Sequence, residues 1–230
     1  KLSITNNNLK VSNFNLTILS ETSSGYNPSE NLVQRTISRD IQIDYERGII
    51  GKGRFGVVWL GKWRSGPVAV KMFLSMHEAS WTRETDIYQT CMIRHDNILG
   101  YIASDIISNS DSINMLLITE YHANGSLYDY LQTNTLNKNL LIQFSYSIIN
   151  GLDHLHQEIF SKNYKPSIIH RDLKTKNILV KNNLECCICD FGLAIRYNSQ
   201  TNQFDTGADK FDSNRELNIR EGSVRYMAPE

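Results

Sequence analysis

Four short strings fall in order along this chain: GKGRFGVV over residues 51–58, VAVK ending at Lys71, HRDLKTKN over residues 170–177 and DFG over residues 190–192. A glycine loop alone constrains little, because Gly-x-Gly-x-x-Gly also opens dinucleotide-binding folds, where it leads from a strand into a helix. Here the glycines lie between two strand-like runs, residues 42–50 and 57–63, so they belong to a hairpin. A hairpin tip without Cβ atoms lets backbone N–H groups come close to a phosphate chain.

The set as a whole, closed by RYMAPE at residues 225–230, resembles the protein kinases. That resemblance implies an α+β, two-lobed fold: a β-rich small lobe, and a helical large lobe that this chain would follow only as far as the activation segment. Length agrees with it. A chain of 230 residues with 40% hydrophobic content has room for one large domain or two lobes around a packed core. Lys plus Arg and Asp plus Glu both count 24, which removes the positive field that nucleic acid or an anionic membrane surface would require. No run approaches the roughly 18 apolar residues of a membrane span, and the start lacks a signal-peptide core, so any membrane anchor is expected outside this sequence.

Three of the four cysteines crowd into ECCICD at residues 185–190, a spacing that fits no structural zinc site and suits small hydrophobes in a buried strand. Sequons begin at Asn15 and Asn124, and a cytosolic location leaves both unused. His154 and His156 are two apart on a helix and point to different sides, against a shared metal.

Residues 1–40, rich in Asn, Ser and Thr, read as a lightly structured regulatory lead-in; residues 41–121 read as the small lobe and 122–230 as a partial large lobe. Within the small lobe, three strands are expected over residues 41–73, a helix over 78–91, and strands over 99–104 and 115–120 separated by a polar loop at 105–114. That makes five strands. A short helix is expected at 126–132. Leu141, Phe144, Ile148, Leu152 and Leu155 then mark one buried stripe of a long helix over 139–159, interrupted only by Gly151. Short apolar runs at 168–169, 178–180 and 186–188 read as strands, and the polar segment 190–230 as the most mobile part.

Phosphoryl transfer requires positioning and charge neutralisation rather than covalent help. On the kinase resemblance, Gly51, Lys52, Gly53, Arg54, Phe55, Gly56 and Val57 form the loop over the phosphates of ATP, with Phe55 capping its tip. Ile50, Val58 and Ala69 sandwich the adenine with Leu179 beneath it; core packing is the plainer reading of each taken singly. Thr119 is the gatekeeper, and Glu120, Tyr121 and His122 form the hinge. Lys71 ends an apolar strand, where an unpaired ammonium is costly, so it needs a carboxylate. Glu84, thirteen residues on, is the chosen partner over Glu78 and Asp86, with a solvated helix face as its bland alternative. Asp172 acts as base or orienter of the incoming hydroxyl and Lys174 holds the γ-phosphate. Asn177 and Asp190 hold Mg²⁺, with Mn²⁺ a possible substitute. Lys174 in HRDLK indicates serine/threonine specificity, and Ser223 is placed to bond back to this loop.

Further strings narrow the resemblance: LVQRTISRDI at residues 32–41, SWTRETDIYQTCMIRHDNILGYIASD at 80–105 and NGSLYDYLQ at 124–132. With the catalytic strings they resemble type I receptor serine/threonine kinases of the TGF-β/BMP/activin group, over about residues 30–230. The resemblance implies a cytoplasmic domain of a single-pass plasma-membrane receptor, with its extracellular ligand bound by regions outside this chain. It also implies phosphorylation by a type II receptor kinase and phosphorylation of Smad proteins, chosen by the loop at 105–114, which is closer to BMP-type versions. Departures accompany it. SETSSGYNPSENL replaces the family's Ser-Gly repeat and Leu-Pro-Leu motif, leaving Thr22, Ser23 and Ser24 as candidate regulatory phosphorylation sites, with Ser29 beside them. DFG replaces DLG, Val224 stands where a lysine is expected, and the activation segment is longer. Ending at Ala-Pro-Glu, the chain reads as a fragment, and a catalytically inactive truncated receptor or binding module is the alternative to an active kinase.

Overall fold

The computed structural model describes residues 39–64, 66–108, 113–205 and 222–227. The lead-in to residue 38, with Thr22, Ser23, Ser24 and Ser29, and the closing Ala-Pro-Glu lie outside the described residues.

The N-terminal half is one antiparallel sheet. Its strands are β1 (Gln42–Ile43), β2 (Ile49–Lys52), β3 (Gly56–Trp63), β4 (Gly66–Leu74), β5 (Tyr101–Ser108) and β6 (Ile113–Glu120), in the order β1-β3-β4-β6-β5 with β2 also paired to β3. The expected first strand is split in two, which makes six strands instead of five. Its break has a local cause: the Asp44 carboxylate accepts the Arg47 N–H at 2.9 Å, and Gly48 supplies a left-handed φ of +82°. The expected polar loop at 105–114 is also shorter. β5 and β6 stay paired through Asp105↔Leu116, Ile106↔Met115, Ile107↔Asn114 and Ser108↔Ile113, because the β-branched isoleucines favour the ladder.

Helix α1 (Glu78–Tyr88) packs under this sheet and buries Glu84, Thr85, Ile87 and Tyr88. It ends earlier than expected, and Met92 follows with a left-handed φ of +58°. Helix α2 (Leu127–Thr133) begins at Ser126, whose Oγ accepts the Asp129 N–H at 3.1 Å. Helix α3 (Lys138–His156) begins at Asn137, whose side chain accepts from Leu140 N at 2.9 Å. It stops three residues short of the expected end, because Gln157 turns to extended backbone and Lys165 covers the orphan carbonyls. Lys165 is fully buried; its Nζ donates to Leu155 O at 3.0 Å and Gln157 O at 2.7 Å, and burial brings its pKa down to about 8.

The buried line of α3 differs from the apolar stripe. Leu141 is 54% exposed, while Phe144, Ser147, Gly151 and Leu155 are buried. Close approach of the strand Cys186–Ile188 explains the small residues. Beyond β7 (Ile159–Phe160), β8 (Tyr164–Lys165), β9 (Ser167–Ile169) and β10 (Ile178–Val180), β11 (Cys186–Ile188) runs against α3, and Ser147 Oγ accepts the Cys186 N–H at 3.0 Å. Gly151 lies against the loop carrying Asn97: an added Cβ would sit 2.5 Å from the Asn97 carbonyl oxygen. Asn97 is itself fixed, its carbonyl accepting Ile188 N at 2.9 Å, its Nδ2 donating to Cys186 O at 2.9 Å and its Oδ1 accepting from Asn150 Nδ2 at 2.9 Å. This loop joins the sheet-rich half to the helical half.

After β11, β12 (Ile195–Asn198) pairs with both β9 and β13 (Gln203–Asp205). The start of the segment expected to be most mobile is thus held in a three-stranded sheet.

Candidate active site

Strand β4 carries Lys71 between Val58 of β3 and Leu117 of β6. Its Nζ lies 2.7 Å from Glu84 Oε2 on α1 and 2.8 Å from Asp190 Oδ1. Of the three carboxylates weighed, Glu84 is the one that meets Lys71. Burial opposes the Lys71 charge, but the fields of Glu84 and Asp190 outweigh it and hold the ammonium above its ordinary pKa. Glu84, 2% exposed, is pushed by burial up to about 7 against the pull of Lys71. Burial acts on Asp190 in the same sense, yet Lys71 prevails and keeps it below the ordinary carboxylate value.

Asp190 has a left-handed φ of +67°, uncommon for a residue with a Cβ. The residue after it anchors the turn: Phe191 is fully buried, edge-on to Tyr88 at 5.0 Å and 5.3 Å from the His170 ring. Tyr88 stacks on Tyr101 at 5.6 Å, so four rings form a column from β5 through α1 to the loop that begins at His170. Sequence reasoning missed Tyr88 and Tyr101. One signal was present, since Tyr88 is one helical turn after Glu84 and shares its face. Arg83 adds a further tie by donating to Gly192 O at 3.1 Å.

His170 is buried, and its Nδ1 accepts the Asp172 N–H at 3.2 Å, which places the ring proton on Nε2, 2.9 Å from the Cys189 carbonyl. Burial lowers its pKa. Asp172 Oδ2 accepts from Lys174 Nζ at 2.6 Å and from Asn177 Nδ2 at 3.1 Å. Asp172 Oδ1 is buried with no hydrogen-bond partner among the described residues. A buried carboxylate oxygen without a donor carries an unmet demand for a hydrogen bond, which a hydroxyl brought to this place would satisfy. Lys174 Nζ also donates to Ser223 Oγ at 2.9 Å, the contact expected from sequence. Gly222 makes it attainable: its φ is +130°, and a Cβ there would lie 2.5 Å from Arg171 O.

Asn177 spends its amide N–H groups on Asp172, which leaves its Oδ1 as a ligand-type oxygen, and its backbone carbonyl accepts the N–H of Cys189 at 3.0 Å, one residue before the Asp190 carboxylate. This all-oxygen pair suits a hard divalent cation that shares its shell with phosphate and water.

The glycine hairpin closes with Gly53 N–H on Gly56 O at 2.9 Å. Packing alone requires Gly56, since a Cβ there would fall 2.1 Å from Met72 O; at Gly51 and Gly53 it would meet nothing nearer than 3.5 Å. Those two glycines are what a close-lying phosphate would require. Lys52 and Arg54 are exposed, and Val57 pairs with Met72. The Phe55 ring turns inward against Gly192 and His77. Ile50, Val58, Ala69 and Leu179 remain partly exposed, with Leu179 packed on Leu99, Cys187 and Cys189. Thr119 is buried, Glu120 N–H donates to Gly100 O at 2.9 Å, Tyr121 is half-buried, and burial lowers the His122 pKa.

The crowded cysteines are buried and unpaired; burial pushes Cys186 up to about 11 and Cys187 to about 12. Asn124 is engaged as well, donating to Lys181 O at 3.0 Å.

This arrangement is that of a protein kinase. The protein kinase domain model matches residues 45–230, and the chain belongs to that family. Within it, the chain is 52% identical to activin receptor type-1 of Homo sapiens and of Gallus gallus, and 50% identical to activin receptor type-1-like of Mus musculus. Each alignment covers 86% of this chain and 37% of the relative, so the chain spans little more than a third of their length. The resemblance to type I receptor kinases of the TGF-β group agrees with these relatives. Among the described residues no helix is long and apolar enough to cross a membrane.

Proposed function

We propose that this chain is the cytoplasmic kinase region of a type I TGF-β/BMP-type receptor, transferring the γ-phosphoryl of ATP to serine or threonine, with Smad proteins as substrates. The observation that carries it is the continuous charge chain Glu84–Lys71–Asp190, accompanied by Asp172, whose buried Oδ1 has no donor among the described residues. Lys71, held by two carboxylates, binds phosphate oxygens. Asp172 orients the acceptor hydroxyl and takes its proton, while Lys174, bonded to Asp172 and Ser223, neutralises charge at the transferred group. Mg²⁺ bound through Asn177 and Asp190 would supply charge neutralisation at the phosphates. An inactive binding module has no use for this set of paired charges, whose burial is costly.

A type II receptor kinase as activator, an extracellular ligand bound outside this chain, and a position at the cytoplasmic face of the plasma membrane complete the proposal. Support for them comes from the activin receptor relatives. The test is transfer from Mg-ATP to a Smad C-terminal tail peptide by the full-length protein, followed by phosphoamino-acid analysis. Phosphoserine or phosphothreonine is expected, with loss of at least a hundredfold in Lys71→Arg, which keeps the charge but not the compact donor. Predominant phosphotyrosine, or transfer by Lys71→Arg at the wild-type rate, would overturn the assignment.

A further inference from the structure

Arg196 lies six residues beyond Asp190, on β12, and the function above does not use it. Its guanidinium reaches across to the C-terminal end of α1. Nη2 donates to the Asp86 carbonyl at 2.5 Å, Nε to Thr90 Oγ1 at 3.1 Å, and Nη1 lies 3.3 Å from Asp205 Oδ2 on the adjacent strand. Thr90 Oγ1 in turn donates to the same Asp86 carbonyl at 3.2 Å, closing a small ring of bonds. The last carbonyls of a helix lack intrahelical donors and sit at the negative end of its dipole, so a planar cation with several donors suits this place.

The other end of the link lies in a paired strand. Arg196 pairs with Ile168 of β9, and that strand runs directly into His170, Arg171 and Asp172. Glu84 lies two residues before Asp86 on the same helix. A displacement of the helix end therefore displaces the carboxylate that holds Lys71. Arg83 attaches the helix to Gly192 as well, so α1 is tied at two places to the segment leaving Asp190.

We infer that Arg196 is a positioning residue: it latches the strand following the Asp-Phe-Gly turn to the C-terminal end of α1, and so sets the distance between Glu84 and Lys71 for nucleotide binding. The inference rests on the kinase reading, because Lys71 is taken to bind phosphate. It is distinct from the Asp172 machinery, since among the described residues the Arg196 guanidinium bonds to Asp86, Thr90 and Asp205.

The test is a double-mutant cycle in the full-length protein, read by titration with a fluorescent Mg-ATP analogue and by hydrogen exchange over residues 86–90. Arg196→Met should weaken nucleotide binding roughly tenfold and raise exchange at the Gln89 and Thr90 amides. Glu84→Gln should weaken binding too, and Arg196→Met in that background should add little, because both act through the same contact to Lys71. Thr90→Val, which removes one partner of the guanidinium and leaves the arginine, guards against a fold defect in Arg196→Met and should give a smaller loss of the same kind. Additive effects of Arg196→Met and Glu84→Gln would overturn the inference, as would unchanged affinity and exchange in Arg196→Met. If the wild-type protein binds no nucleotide, the kinase reading fails. The latch is then decided by exchange at residues 86–90 alone, where an unchanged pattern refutes it.

Discussion

Gly151→Ala reverses the usual sign of a helical substitution. In an exposed helix interior, alanine in place of glycine gains about 1 kcal/mol. At Gly151 the new Cβ would lie 2.5 Å from the Asn97 carbonyl oxygen, 3.1 Å from Asn97 Cβ and 3.2 Å from Ile188 Cδ1. The nearest of these is backbone, so α3 or the Asn97 loop must shift. Asn97 cannot shift freely, because it makes three hydrogen bonds to Cys186, Ile188 and Asn150. Overpacking of this kind costs about 1–3 kcal/mol, and weakening one buried hydrogen bond costs about 1 kcal/mol more. Set against the helical gain, the net is destabilisation of about 1–3 kcal/mol, which for a domain of this size lowers Tm by about 2–12 °C. Thermal melts by circular dichroism measure it, with Ser145→Ala on the exposed face of α3 as the control expected to hold or raise Tm. A Gly151→Ala protein melting at or above wild type would refute the argument that contact with Asn97 outweighs helical propensity.

Two further outcomes follow from the charges and thiols. His170 is neutral in the fold, with its pKa below the ordinary value of 6.5, so the unfolded chain takes up a proton first as pH falls. Its contribution to stability is complete above pH 6.5 and is lost on acidification below it; denaturant titrations between pH 5 and 8 should show a shallower acid decline in His170→Gln, and parallel curves would count against the buried neutral ring. Iodoacetamide at pH 8 should label only Cys91 in the native protein and all four cysteines in denaturant, because burial holds Cys186, Cys187 and Cys189 as thiols while Cys91 is exposed. Mass spectrometry counts the adducts, and native labelling of Cys187 would show the β11 core to be open.

The candidate site residues were legible in sequence because the chemistry proposed for them calls for particular side chains at close spacing in single loops. Lys71, Asp172, Lys174, Asn177 and Asp190 each sit in such a string, and Glu84 followed from the need of a buried ammonium for a carboxylate in the next helix. Strand and helix positions were readable where β-branched runs or caps such as Ser126 and Asn137 punctuate them. Two errors of extent, the split at 44–48 and the paired isoleucines of 105–114, came from weighing composition above local turn chemistry.

Other features depend on residues brought together across the chain. Gly151 reads as a flaw in an apolar stripe until Asn97 is seen against it. Tyr88 and Tyr101 look like ordinary core residues until Phe191 and His170 complete their column. Gly222 has no evident role until its backbone meets Arg171 and brings Ser223 to Lys174. Arg196 lies 110 residues from Asp86, and no pattern in a linear window links a cation in one strand to a carbonyl at the end of a distant helix. Side-chain type and short spacing are enough to mark the candidate groups for chemistry, since reactivity resides in them. Only the tertiary structure decided which residues hold those groups in place, because close packing and hydrogen-bond satisfaction are settled between segments, by whichever atoms the fold makes neighbours.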